Sequence, residues 1–232
     1  MDASIVALGL VWFAAFLFST TLHEAAHAFV AFRLGDPTAY HGGQVSLNPV
    51  PHIRREPFGM VVVPLLSYFG SPARWMFGWA SAPYDPMWAA RHPRRAGAMA
   101  LAGPTANLLL VILSGIGIRI GLATGGFVPA VESYARLVEA PGGGALAGVA
   151  ALLSVFFSLN LILFLFNLLP LPPMDGSGVL QLVLPEDTSR RWQEVMRQPL
   201  VGIIGILIAW RFFGKVLDPV FVLALRLLGL IE

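Results

Sequence analysis

The chain has 232 residues, 56% hydrophobic and 12% charged, with no cysteine, whereas a soluble domain carries roughly 25% charged residues. This composition excludes a soluble globular domain, a disulfide framework and a thiolate metal site, and it leaves length for one membrane-embedded unit over 1–232. The formal charge of +2 is too small to argue for a nucleic-acid partner, and the arginines cluster beside apolar runs, as membrane topology requires.

In chain order, the first apolar run extends from about Ile5 to Phe32 and reads as a transmembrane helix, with Arg33, Gly35, Asp36 and Pro37 as stop signals. It is too long for the apolar core of a signal peptide and is expected to be retained. From Ala3 to Phe32 the only ionisable residues are His23, Glu24 and His27, in the stretch LHEAAHAF. On a helix His23 and His27 lie one turn apart on one face, so both imidazoles reach one metal ion, and Glu24 projects beside them. The pattern alone admits a chance match, with the histidines satisfied by backbone carbonyls. Its setting favours a metal, because every polar group in lipid must find a partner and a shared ion satisfies all three. In that reading the histidines are zinc ligands and Glu24 is the general base for a metal-bound water.

The amino terminus has no Lys or Arg, whereas Arg33, Arg54 and Arg55 follow the helix, which places the amino terminus outside and the motif near the cytoplasmic end. Pro37 to Pro57 is rich in Gly, Pro and Asn. Within it Gln44, Val45, Ser46 and Leu47 alternate in polarity between two glycines and Asn48-Pro49, the mark of a short strand or β-loop. His41 and His52 in this stretch read as loop histidines rather than ligands. Phe58 to Ala82 is apolar but broken by Pro64, Gly70, Pro72 and Arg74. A re-entrant hairpin keeps Arg54, Arg55, Arg74 and the cluster at Arg91, Arg94 and Arg95 on the cytoplasmic side, which a full crossing does not. His92 reads as a surface residue.

Ala96 to Ile118 is an uncharged run long enough to span, in which Gly103 and Pro104 permit close helix approach and Asn107 is an amide that must be paired in the membrane. Gly121 to Gly144, with Glu132, Arg136 and Glu139, lies outside on this topology. Ala145 to Leu169 returns through the membrane and runs into prolines 170, 172 and 173 and the turn at Asp175-Gly176. That places the Asp175 carboxylate on the same side as His23 and His27, where it is either an ordinary turn residue or the third ligand of a His, His, Asp site with water in the fourth position. Glu186 to Arg197 is expected to form a short cytoplasmic surface helix. Beyond it, Arg211, Lys215, Asp218 and Pro219 break an apolar stretch, which predicts two connected helices, Pro199 to Phe213 and Val220 to Ile231.

HEAAH (23–27) in the first helix, GPTAN (103–107) in a middle helix and NLLPLPPMDG (167–176) after a later one resemble, in order and setting, the three signatures of the site-2 protease family of intramembrane zinc metalloproteases. The segments LGDPTA and LNPVPHI further resemble its compact bacterial members, which lack appended PDZ or regulatory domains. The resemblance implies one Zn2+ per chain held by His23, His27 and Asp175, with Glu24 as base and proton shuttle. It also places Asn107 and Asn167 as supporting residues for the substrate or oxyanion. The segment FGWASAPYDP departs from the GWAKPVPVN of the small relatives in lacking its lysine and Pro-Val.

The expectation is an all-α polytopic membrane protein: a site-2 protease-like core over 5–176 with a short re-entrant β-loop or hairpin insertion, and C-terminal helices over 199–231. Its expected substrate is a transmembrane or membrane-adjacent peptide, accepted as a strand beside Gln44 to Leu47. Its expected location is a prokaryotic plasma membrane, with the site toward the cytoplasm. Two other readings are a metal-stabilised scaffold, which has no evident need for Glu24, and a metal transporter, which needs polar residues across the membrane. The runs Ala96 to Ile118 and Ala140 to Met174 carry no ionisable side chain. An iron-dependent oxygenase would need clustered histidine boxes that five histidines do not supply.

Overall fold

A computed structural model describes residues 3–70 and 75–232. Pro72 and Arg74, expected to break the second apolar segment, lie outside the described residues. The elements in order are α1 (Ala3–Arg33), α2 (Thr38–His41), α3 (Pro49–Arg55), a π turn (Phe58–Val62) running into α4 (Val63–Gly70), α5 (Pro86–Arg91) and α6 (Pro93–Ala123). There follow β1 (Val128–Ser133), β2 (Arg136–Glu139), α7 (Gly144–Asn167), α8 (Asp175–Val179), a 3-10 turn (Leu180–Leu182), α9 (Glu186–Met196) and α10 (Pro199–Leu228). Among the described residues α1, α6, α7 and α10 are long and apolar enough to cross a membrane. The chain is an integral membrane protein built almost wholly of helices, since only a helix or a closed barrel satisfies its own backbone in lipid.

Burial against lipid tails gains no hydrophobic free energy, so close packing and hydrogen bonds must hold the bundle. One packed cluster joins α1, α4 and α7 through Trp12, Phe16, Tyr68, Val155 and Leu159. Another joins α6, α7, α10 and the β-hairpin through Ile118, Leu137, Phe157 and Leu228. Strands β1 and β2 pair antiparallel with Val128 opposite Glu139 and Ser133 opposite Arg136. The buried Ser154 hydroxyl accepts from the Leu137 amide and so fixes this hairpin to α7.

The segment between α3 and α5 is a hairpin of one helix and one extended return. Tyr68 Oη donates to Ile5 O near the start of α1, so the helix lies along the amino-terminal half of α1. The chain then comes back extended, with Trp79 N donating to Gly59 O and Asp85 N to Asp36 Oδ2 beyond the other end of α1. Entry and exit therefore share one end of the bundle, with Arg54, Arg55 and Arg91 there. Trp75, the first described residue of the return, packs on Tyr134 at the opposite end, not on the side expected for its neighbour Arg74. The two arms touch at glycines: a Cβ at Gly78 would lie 2.1 Å from Gly59 O, and one at Gly59 2.2 Å from Trp79 O.

Two expectations are corrected. Gln44, Val45, Ser46 and Leu47 form no strand but an irregular turn between α2 and α3. Local hydrogen bonds compete with extension there: Gln44 Nε2 donates to Ser81 O, His52 Nε2 reaches Ser46 O, and the Asn48 side chain caps α3 by accepting from Val50 N. The paired β-structure lies in the other connection, at 128–139. At the carboxyl end, Pro219 does not divide the chain into two helices, because α10 is continuous from Pro199 to Leu228. A proline inside a helix removes one amide donor, here the partner of Lys215 O, without forcing a break.

Replacing Gly78 by valine should cost about 1–3 kcal/mol by overpacking. The measurement is thermal unfolding in detergent, with limited proteolysis between Trp75 and Tyr84. A lower melting temperature and faster cutting are expected, and an unchanged melting temperature would contradict the close approach.

Candidate metal centre

The site is assembled from four elements. Helix α1 supplies His23, Glu24 and His27, all under 8% exposed. Helix α6 passes so close that a Cβ at Gly103 would lie 2.3 Å from His27 Nε2 and 2.5 Å from His23 Nε2. No side chain fits at 103, which accounts for the glycine of GPTAN. Asp175 opens α8, and Gly176 behind it abuts the turn just after α7, where a Cβ would lie 2.3 Å from the carbonyl oxygens of Leu168 and Leu169. The prolines after α7 end the helix and the glycine lets the chain turn back at contact distance. The carboxylate is thereby aimed at the histidines.

Three potential ligand atoms converge. His23 Nε2 and His27 Nε2 are 2.9 Å apart, and Asp175 Oδ2 is 3.0 Å from the first and 3.3 Å from the second. In the metal-free site burial pushes the Asp175 carboxyl up, but the positive charge of protonated His27 and hydrogen bonds from both rings outweigh it and hold the group well below the usual carboxylate range.

The other ring nitrogens settle the tautomers. Asn160 Nδ2 lies 2.8 Å from Phe156 O, a backbone carbonyl that only accepts, so this end of the Asn160 amide is the donor. Its other end, Oδ1, therefore accepts from Asn107 Nδ2 at 2.8 Å. That leaves Asn107 Oδ1 facing His23 Nδ1 at 2.5 Å, and His23 must donate. His27 Nδ1 faces the Met99 carbonyl at 2.7 Å and donates likewise. With a proton on Nδ1 in each ring, Nε2 is the atom each presents to the other and to the carboxylate. A cation among the three atoms, whether a proton on Nε2 or a metal ion, relieves the repulsion of such a set, and two imidazoles with one carboxylate suit zinc. The described residues fit a divalent metal.

Glu24 and His27 face a cavity of about 250 Å³ with Asp175 on its wall. One side is the extended segment Ala80, Ser81, Ala82, Pro83 and Tyr84, and the floor includes Gln181 and Gln193 from the elements after α8. Helix α9, the expected surface helix, is held there by Trp192 Nε1 donating to Ser177 O at 2.7 Å and by Gln193 Nε2 donating to Ala89 O at 3.1 Å.

The sequence-predicted residues divide accordingly. His23, Glu24, His27 and Asp175 come together, and Asn107 meets the site as the acceptor that orients His23. Asn167 is half-buried as the last residue of α7 and is not among the residues lining this cavity. Gln44 to Leu47 do not line it either. His41 is exposed at the end of α2, while His52 is buried against Ser46 O, and neither joins the metal-facing group. Sequence reasoning passed over Asn160 and Ser19, which extend the relay through Asn160 Nδ2 donating to Ser19 Oγ at 2.9 Å. The available signal was the amide itself, since a lone Asn at mid-span in an uncharged apolar helix needs a partner.

The family model described as Peptidase family M50 matches residues 11–210. YwhC of Bacillus subtilis, named as a candidate zinc metalloprotease, is 37% identical over 168 residues, which are 72% of this chain and 66% of YwhC. The Rip2 proteins of Mycolicibacterium smegmatis and Mycobacterium tuberculosis bear the same description. They are 28% and 31% identical over 209 and 215 residues, 88% of this chain and 69% and 70% of theirs. The chain thus spans about two thirds of the length of these relatives. No solved structure matches it.

Replacing Asn160 by leucine should lower metal affinity about 10–100-fold by releasing Asn107 and through it the His23 ring. Competition with a zinc chelator measures this. Asn107→Leu should act similarly, and the double variant should lose little more than either single one, because the two amides act in series. Wild-type affinity in Asn160→Leu would contradict the relay.

Proposed function

The chain belongs to peptidase family M50, and from that premise we propose that it is an intramembrane zinc endopeptidase that hydrolyses peptide bonds in or beside transmembrane segments of other proteins. The observation that carries this reading is the convergence of His23, His27 and Asp175 beside the buried Glu24, in a cavity walled by membrane-spanning helices. A scaffold would need the three ligands but not a buried carboxylate next to them.

His23, His27 and Asp175 would hold one ion. A bound zinc supplies a Lewis acid that acidifies water and polarises the scissile carbonyl. Glu24 takes the proton of the attacking water and returns it to the leaving amine, as a general base and then a general acid. The Asn160–Asn107 relay keeps the His23 Nε2 lone pair turned to the ion, and the Met99 carbonyl does the same for His27. Asn167, on the strength of the family pattern, is assigned to the oxyanion or the substrate backbone.

A substrate helix buries its carbonyls in its own hydrogen bonds and must open before attack. Segment 79–84 replaces Gln44 to Leu47 as the edge that receives the opened chain. It is extended, lines the cavity beside Glu24, and among the described residues the amides of Ala80, Ser81, Ala82 and Tyr84 have no hydrogen-bond partner. Strand addition uses such unpaired groups. Positive-inside topology puts this chemistry toward the cytoplasmic face of a prokaryotic plasma membrane.

The test is cleavage of a panel of transmembrane peptides by purified wild type and Glu24→Gln in detergent, with metal content measured on both and products mapped by mass spectrometry. Equal metal, cut sites within or next to the apolar stretch, and a loss of at least about 100-fold in Glu24→Gln are expected. Undiminished cleavage by Glu24→Gln would overturn the proposed role of the base.

A further inference from the structure

The metal-site cavity has a polar floor to which the proposed hydrolysis gives no task. It includes Gln181, in the 3-10 turn after α8, and Gln193 of α9, each 7% exposed. Buried side-chain amides are costly unless their donors and acceptors are matched. Gln193 is matched, because Nε2 donates to Ala89 O at 3.1 Å and Oε1 faces Arg197 Nη2 at 3.5 Å. A carbonyl only accepts and a guanidinium only donates, so the two ends of the Gln193 amide are fixed.

Gln193 Nε2 also donates to the Gln181 amide, and the atom it meets there must be the oxygen. The other end of Gln181 is therefore its amino group. Among the described residues this Nε2 has no hydrogen-bond partner, and it is not sealed within the protein. It stands beside Gly178, another lining residue, where a Cβ would lie 3.9 Å from it. Its N–H groups thus open on the cavity that Glu24, His27 and Asp175 face.

The opposite wall also offers donors, the free amides of Ala80, Ser81, Ala82 and Tyr84, whereas the carbonyls of Ser81 and Ala89 are taken by Gln44 and Gln193. Spare donors on two sides call for a ligand rich in acceptors. An anionic one would stand against Asp175 and Glu24. An opened peptide is neutral and frees carbonyls as its helix unwinds. Contacts along α6 give the height of Gln181: Gly103 faces the histidines, Ala100 meets Gly178 and Gly97 meets Leu182. Gln181 is thus about 5–9 Å nearer the start of α6 than the metal-facing atoms, or about two to three residues of extended chain.

We propose that Gln181 is a substrate-binding residue whose Nε2 donates to a backbone carbonyl of the opened substrate, about two to three residues from the scissile bond on the cytoplasmic side. The substrate is then held between Gln181 and segment 79–84. The identity of this ligand rests on the endopeptidase reading.

The test uses the full chain with zinc bound, in detergent, and a fluorescent transmembrane peptide, with binding measured on Glu24→Gln so that the peptide stays whole. Gln181→Met keeps the length of the side chain, and Gln181→Glu keeps the oxygen that Gln193 meets but replaces the amino group. Each, added to Glu24→Gln, should weaken binding about 3- to 10-fold. In the chain that retains Glu24 the same loss should appear in KM rather than kcat. Peptides with one backbone amide at a time replaced by an ester, a weaker acceptor, locate the contact. One ester at the stated distance from the cut should weaken binding, and its penalty should vanish in Gln181→Met. Unchanged binding in both variants, ester penalties that all persist in Gln181→Met, or zinc affinity lost together with peptide binding would each overturn the proposal and leave the peptidase reading standing. The predicted binding losses without cleavage by wild type would instead overturn the peptidase reading and support Gln181 as a peptide contact.

Discussion

Two imidazole nitrogens and one carboxylate oxygen meet within 3.3 Å of one another in a buried site. Three such atoms at that distance need a positive charge among them, which a metal ion or a proton supplies, and the rest of the molecule is arranged to hold the three together. Gly103 lets α6 approach the two rings, and the Asp175-Gly176 turn presses back onto the carbonyls of Leu168 and Leu169 just after α7. In a membrane the bundle gains nothing from hiding apolar surface from lipid, so polar contacts of this kind also serve as structural ties. One relay, Ser19–Asn160–Asn107–His23, joins α1, α7 and α6 through buried side chains. The same bonds that hold three helices in register hold one ligand ring in one tautomer.

In the proposed function, the hairpin between α3 and α5 adapts this centre to a peptide. It enters and leaves at one end of the bundle and returns as an extended segment whose cavity-facing stretch keeps several amides without internal partners. Irregular backbone is tolerated at this depth because it lines a cavity rather than lipid. Two glycines, 59 and 78, set the spacing of its arms, and Asp36 Oδ2 accepting from Asp85 N fastens the return to the loop after α1. The segment that departs most from the small bacterial pattern, FGWASAPYDP, is thus a wall of the site. Differences in substrate choice are expected to be written there.

Much of the centre was legible in the residues. HEAAH is rare chemistry in an apolar helix, and Asp175 follows a proline-enforced helix end on the side where the histidines sit. The arginines that flank the segment, at 54, 55 and 91, pointed to a hairpin, while the one expected within it, Arg74, lies outside the described residues. Legibility failed where side chains and distant segments compete. The alternation of Gln44 to Leu47 suggested a strand, but the decisive partners, Ser81 and His52, lie far along the chain or on the next helix. Pro219 suggested a break that a packed helix absorbs. Asn160 drew no notice because its partner Asn107 lies 53 positions away. No local pattern encodes that pairing.

The central claim is the identity of the metal-facing atoms, and zinc K-edge X-ray absorption on the purified full chain tests it most directly. The account predicts two imidazole nitrogens at about 2.0–2.1 Å and oxygen at about 2.0–2.2 Å, with no sulfur shell, and one imidazole lost in either His23→Ala or His27→Ala. A shell without two imidazoles, or one unchanged by both substitutions, would contradict it.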